Sequence, residues 1–228
     1  MSRPSVSRPR IADPRIVPVL GHDGHLAAVT PERLTSGWLR ERLARPLDWT
    51  PEKLGDGGVF DGHQRSDAAV LVPLVERDDG LTVLLTQRTV HLRDHAGQIA
   101  FPGGRAEPGD ADAIQTALRE TEEEVGLDRR HVEVLGALPV YRTVTNYDVT
   151  PVVGLVRPPF TLRLDTHEVA EAFEVPLAFL MSPENHERHA REWQGILRHY
   201  YAMPFGDYYI WGATAGILRN MYERLYAA

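Results

Sequence analysis

Apolar and polar positions along this chain follow two periods, and the switches between them outline the elements. Ala68 to Val75 (AAVLVPLV) is an unbroken apolar run that suits a strand buried on both faces. Arg77-Asp78-Asp79-Gly80 reads as a turn and Leu81 to Arg88 as the returning strand of a hairpin. A helical period then takes over. Ile114, Leu118, Thr121 and Val125 fall at i, i+4, i+7 and i+11, which predicts an amphipathic helix that ends at Gly126, a natural left-handed stop. His131 to Val140 and Tyr147 to Val156 read as strands, and Pro151 predicts an edge position or a bulge in the second. Phe160 to Leu164 reads as a short strand. Ala170 to Leu180 is expected to end in a short helix or turn around Pro176. Trp193 to Met203 and Tyr208 to Trp211 form a predicted strand pair around Pro204-Phe205-Gly206, and Ala213 to Ala227 a final amphipathic helix.

Ahead of these, Thr30-Pro31-Glu32 has the chemistry of a helix start, and Leu34, Trp38, Leu39 and Leu43 continue an apolar stripe to Ala44. Met1 to Ala28, with Pro4, Pro9, Pro14 and Pro18, reads as an extended arm, and Arg45 to Ser66 as a loop. The expected organisation is an arm, accessory helix and loop over 1–66, packed on a domain spanning 67–228.

Composition narrows the function classes. A chain of 228 residues, 43% hydrophobic and 25% charged, suits one domain with a full-sized core. A formal charge of −7 lacks the basic footprint of a nucleic-acid binder. Zero cysteines exclude disulfides, thiolate metal sites and a cysteine nucleophile. The N-terminus has no apolar signal core and no apolar run is long enough to span a bilayer, so a soluble cytoplasmic protein without a membrane partner is expected.

The predicted helix carries an oddity. Glu120, Glu123 and Glu124 share a face away from the apolar stripe, and Glu122 to Glu124 occupy the last turn, where the macrodipole is already negative. Like-charge spacing costs roughly 0.2–0.5 kcal/mol per pair and the dipole roughly 0.3–1 kcal/mol per charge. A solvated acidic face is one reading. A divalent cation is the other, and Mg²⁺ held by one or two carboxylates usually binds substrate phosphates as well. The second reading predicts a small phosphate-bearing substrate.

The stretch Gly103 to Leu127, GGRAEPGDADAIQTALRETEEEVGL, resembles the Nudix box, GX5EX7REUXEEXGU with U aliphatic. Arg119-Glu120, Glu123-Glu124, Gly126 and Leu127 occupy the expected places. Asp110 stands where the pattern has Glu, and eight residues rather than seven separate it from Arg119. Just upstream, LLTQRTVHLRDHAGQIAFPGG is similar to the signature of coenzyme A pyrophosphatases of that superfamily, with Arg88, Arg93, Gly97 and Phe101 to Gly104 in register and Thr89 replacing a smaller residue. The resemblance implies an α/β fold, the Nudix α/β/α sandwich around a mixed β-sheet, and a metal-dependent hydrolase with Mg²⁺ or Mn²⁺ as cofactor.

By that resemblance Gly104, Glu120, Glu123 and Glu124 are the metal set. Glu123, Arg119 and Glu168 are the catalytic candidates: Arg119 orients a box glutamate, and Glu123 or Glu168 acts as general base or extra ligand. Arg88, Arg93, His95, Gly97 and Phe101 are the substrate-binding candidates, with Arg88, Arg93 and His95 able to grip phosphates. Coenzyme A or a thioester of it is the expected nucleotide substrate. Another nucleoside diphosphate linked to X (ADP-ribose, NADH or a dinucleoside polyphosphate) and a non-hydrolysing nucleotide sensor are the alternatives. Tyr200, Tyr201, Phe205, Tyr208, Tyr209 and Trp211 suit a core or a homodimer surface better than a platform for adenine.

Overall fold

The computed structural model of the chain describes residues 13–46, 49–56, 65–92, 96–193 and 196–226. In order these form β1 (Val19–His22), α1 (Ser36–Ala44), β2 (Ser66–Arg77), β3 (Gly80–Arg88), β4 (Ile99–Ala100), β5 (Gly103–Arg105), α2 (Ala113–Val125), β6 (Val132–Ala137), β7 (Tyr141–Arg142) and β8 (Tyr147–Val156). There follow β9 (Val169–Pro176), α3 (Leu177–Leu180), β10 (Glu187–Trp193), β11 (Ile196–Phe205), β12 (Tyr208–Trp211) and α4 (Ala213–Tyr226).

The apolar run becomes the centre of a mixed sheet, since only a strand covered on both faces can bury it whole. β2 pairs parallel with β8 from Ser66–Tyr147 to Val75–Val156, and antiparallel with β3 and β5. Alternate residues feed two cores. Ala69, Leu71 and Val75 pack with Ala117, Leu118 and Val125 of α2. Val72 and Leu74 pack on the other side with Leu39 and Leu43 of α1 and with Ile217, Leu218, Met221, Tyr222 and Leu225 of α4. Each such side chain, fully buried, contributes roughly 1.5–3 kcal/mol. A second sheet, β1-β10-β11-β12, closes this second side, sending Tyr201, Met203 and Ile210 into the same core. Among the described residues, no helix is long and apolar enough to cross a membrane.

Three expectations change and one is sharpened. Pro151 lies at neither an edge nor a bulge of its own strand: β8 is flanked by β2 on one side and by β6 and β7 on the other. Its carbonyl accepts from Leu138 N (2.9 Å) in the gap between β6 and β7, so its missing N–H interrupts no ladder. Phe160 to Leu164 joins no strand; the segment runs along the end of α2, where Arg163 N and Asp165 N donate to the Val125 and Glu124 carbonyls (both 2.8 Å). The short helix expected around Pro176 is present as α3, directly after the proline, and the segment before it is strand β9, paired with β3. Within the expected arm, Val19–His22 is a strand on β10, itself unforeseen, and His189 Nδ1 lies 3.1 Å from the Val17 carbonyl.

Candidate functional site

Helix α2 is fixed at both ends by its own sequence. Asp112 caps its start by accepting from Gln115 N, and Gly126 ends it at φ 67°. Ala117 and Thr121, both buried, face β2, and this turns Glu120 and Glu124 toward β5. Two glycines permit the approach. A Cβ on Gly103 would lie 2.4 Å from the Ala69 carbonyl oxygen, and one on Gly104 2.4 Å from Glu120 Oε2. The Gly103 amide, freed for a side-chain partner, donates to Glu124 Oε2 (3.1 Å).

Glu124 is poorly compensated. It is 6% exposed, and among the described residues its nearest cation is Arg88 Nη1 at 3.5 Å. Burial pushes its carboxyl up to about 7, against the lowering effect of the Gly103 hydrogen bond and Arg88, with Glu168 and Glu120 adding repulsion. Glu120 is also raised, chiefly by burial. Arg88 reaches from Glu124 to Glu168, its Nη2 3.6 Å from Glu168 Oε2, while its buried Nε has no hydrogen-bond partner among the described residues. The strand pairing that sets Arg88 opposite Val169 brings these groups together.

Arg119 is the organiser of the outer half. Its Nε and Nη2 grip Asp110 (3.0 and 2.9 Å), its Nη1 reaches Glu120 (2.9 Å) and Glu123 (3.1 Å), and Nη2 also donates to the Arg105 carbonyl (3.1 Å). Asp110, the residue at the irregular position of the box, is thereby a structural anchor. It also accepts from Glu107 N and Thr116 Oγ (both 2.9 Å), and the Arg119 hydrogen bonds hold its carboxyl far below the usual range. Glu123 is the exposed member, its side chain 60% accessible.

The helix end is less strained than its sequence suggests. The Arg163 and Asp165 amides cap its last carbonyls, and Glu122 pairs with Arg129 at 2.5 Å, leaving the acidic face proper to Glu120, Glu123 and Glu124. Glu168 arrives from the loop that begins at this cap. Thr89, a residue whose role the sequence did not disclose, holds that loop: its N donates to the Glu168 carbonyl (2.9 Å) and its Oγ to the His167 carbonyl (2.8 Å).

Of the remaining candidates, Gly97 turns the chain between β3 and β4 at φ 70°, its N donating to the Arg88 carbonyl. Phe101 is 4% exposed in the core, which removes its side chain from contact with a substrate. Arg93 and His95 lie outside the described residues. The aromatic group divides: Tyr201 is buried, Tyr200 stacks on His189 and Tyr208 on Phe173 at 3.6 Å.

Among the described residues, no three His, Asp or Glu side chains converge closely enough to cage an ion by themselves. The donor set still fits a hard divalent cation that shares its shell with a substrate. Glu120 lies against Gly104 and the poorly compensated Glu124 against Gly103, both carboxyls are raised by burial, and all donors offered are oxygens.

The NUDIX domain family model matches residues 65–195. The chain is 46% identical over 155 residues to the uncharacterized Nudix hydrolase NudL of Escherichia coli (strain K12), covering 68% of this chain and 80% of that protein. It is 45% identical over 155 residues to NudL of Shigella boydii serotype 18, with the same coverage. A solved structure similar to it is a C. elegans Ap4A hydrolase binary complex, at 23% identity, covering 50% of this chain and 85% of that one with a TM-score of 0.43.

Proposed function

The chain belongs to the Nudix hydrolase family, whose members act on pyrophosphate bonds and generally use divalent metal ions, and we propose that it splits coenzyme A or its thioesters into 3′,5′-adenosine diphosphate and 4′-phosphopantetheine, which keeps its acyl group where the substrate is a thioester. The observation that carries this reading is the meeting of two motifs. Arg88 and Gly104, both in the coenzyme A-type signature, stand against Glu124 and Glu120 of the box.

In this reading Glu120, Glu124 and the Gly104 carbonyl hold Mg²⁺ or Mn²⁺, with Glu123 available to a second ion. When bound, the metal neutralises charge on the phosphoryl oxygens and acidifies a coordinated water. The chain's own residues do the rest. Arg119 keeps Glu120 and Glu123 oriented through its grip on Asp110. Glu168, half exposed across Arg88 from Glu124, accepts the proton of the attacking water. Arg88 stands between the two carboxylates and limits their repulsion at 3.5 and 3.6 Å.

A substrate panel tests the reading: coenzyme A, acetyl-coenzyme A, NADH, ADP-ribose and diadenosine polyphosphates, each with Mg²⁺ and with Mn²⁺. The highest kcat/KM is expected for coenzyme A or its thioester. A preference for any other member overturns the substrate, and nucleotide binding by calorimetry without product overturns the activity in favour of a sensor.

A further inference from the structure

The loop that ends in Glu168 leads directly into β9, an edge strand. β9 pairs with β3 from Thr82 to Arg88 and, among the described residues, has no strand on its other side. The pairing is irregular where the strand begins: the register shifts between Gln87, opposite Glu171, and Arg88, opposite Val169. An edge strand that starts on a bulge lacks the second ladder of an inner strand, so its first residues depend on side-chain contacts.

Those contacts come from the other sheet. Tyr208, at the turn between β11 and β12, lays its ring on Phe173 with centroids 3.6 Å and planes 4° apart, and its hydroxyl donates to Glu171 Oε1 (2.6 Å). Alternation along a strand puts Glu171 and Phe173 on one face of β9, so a single tyrosine grips two successive positions of that face. A concavity of about 520 Å³ opens here, with Gln87 and Glu171 on the strand side and Phe205, Gly206, Asp207 and Tyr208 on the turn side. Tyr208 joins the two sides. The turn itself is anchored: Gly206 takes φ 56°, and the Phe205 ring packs edge-on against Phe179 of α3 at 4.9 Å.

We infer that Tyr208 is a positioning residue for the hydrolysis: through Glu171 and Phe173 it holds the start of β9, and with it Glu168. The inference rests on the reading of Glu168 as the base, and not on which nucleotide is cleaved. Glu171 lies three residues beyond Glu168, roughly 10 Å along an extended chain. A misplacement of about 1 Å at a reacting group can cost on the order of 10²-fold in rate. Thr89 binds the His167 and Glu168 carbonyls, and Tyr208 grips the strand that follows. Between the two holds, Glu168 stays within 3.6 Å of Arg88.

The test is a double-mutant cycle on whichever nucleotide of the panel is cleaved fastest. Tyr208→Ala should lower kcat about tenfold with KM within about twofold. Tyr208→Phe, which keeps the stack and loses the hydroxyl, should fall between it and wild type. Added to Glu168→Gln, Tyr208→Ala should cost less than about a further twofold, because the group it positions is already gone. Hydrogen exchange of the amides of residues 166–172 should speed up about tenfold in Tyr208→Ala, with those of α2 unchanged. An equal loss of kcat on both backgrounds would make Tyr208 a purely structural residue and overturn the inference, as would unchanged exchange. Full turnover by Glu168→Gln alone removes the base assignment, and the inference falls with it, so the two failures are told apart.

Discussion

Helices α2 and α4 both carry charge into the interior, with opposite outcomes. On α4, Arg219 and Arg224 are almost fully buried, yet each is answered. Arg219 meets Asp23 at 2.6 Å and Glu223 at 3.1 Å, Arg188 adds a second cation to Asp23 at 3.0 Å, and Arg224 donates to the carbonyls of Arg42, Arg45 and Pro46. This matched network ties the N-terminal segment to the C-terminal helix. On α2, Glu124 is equally buried, with one amide and a cation at 3.5 Å. Buried charge that is matched builds architecture; buried charge left short of partners marks a place where something else binds.

The sharpest way to break that contrast is Glu124→Gln. Turnover should fall on the order of 10³-fold or more, while the metal-free fold becomes more stable. The sign follows from a carboxyl raised from 4.5 to about 7. Below its unfolded pKa the group is neutral in both states; the stability its protonated form contributes is lost as pH rises through the folded pKa. At pH 8 the wild-type charge costs on the order of 3 kcal/mol, so the metal-free amide variant should melt higher than wild type there and no higher at pH 4.5. Equal melting at both pH values would mean Glu124 is already compensated.

Arg219→Met probes the other helix. Removing one partner of a buried pair costs roughly 3–5 kcal/mol, read by urea unfolding, while kcat per folded molecule stays within about twofold. A larger loss of kcat would show that the α4 network is part of the site. Metal affinity gives the next effect in size: because Glu124 must lose its proton, Mg²⁺ binding should tighten by up to about tenfold per pH unit below about 7 and level off above it. Calorimetry at pH 6 in two buffers of different ionisation enthalpy should find a proton released, and Glu124→Gln should abolish the slope.

The smallest expected effect lies at Thr89. Thr89→Ala removes the hydroxyl bond to the loop of Glu168, worth about 1 kcal/mol, and should lower kcat about fivefold with KM unchanged. Thr89→Ser should restore it. If serine fails as alanine does, the hydroxyl is not what places Glu168.

What the sequence disclosed and what it hid divide along the same line. The stripe of α2, its stop at Gly126 and the β2–β3 hairpin were readable because periodicity and turn chemistry are local. β9 and β10 were not, since Pro176 and the charges of Glu187 to Trp193 obscure strands whose pairing is set by distant partners. In the site, the residue types of Glu120, Glu123 and Glu124 were legible, but not that Glu124 is buried, Glu123 exposed and Glu122 paired with Arg129. Those differences arise from how α2 seats on β2 and β5. Asp110 was hidden for another reason: its extra residue of spacing lies in the turn before α2, from which it still reaches Arg119.

The backbone bond from Asp165 to the Glu124 carbonyl has an evolutionary consequence. The same short loop that presents Glu168 also finishes the helix presenting Glu120 and Glu124. A length change between Asp165 and Val169 would therefore disturb the carboxylate proposed as base and the helix terminus together. Insertions that diversify descendants of this chain should accumulate in connections that carry no such double duty, and leave this one at constant length.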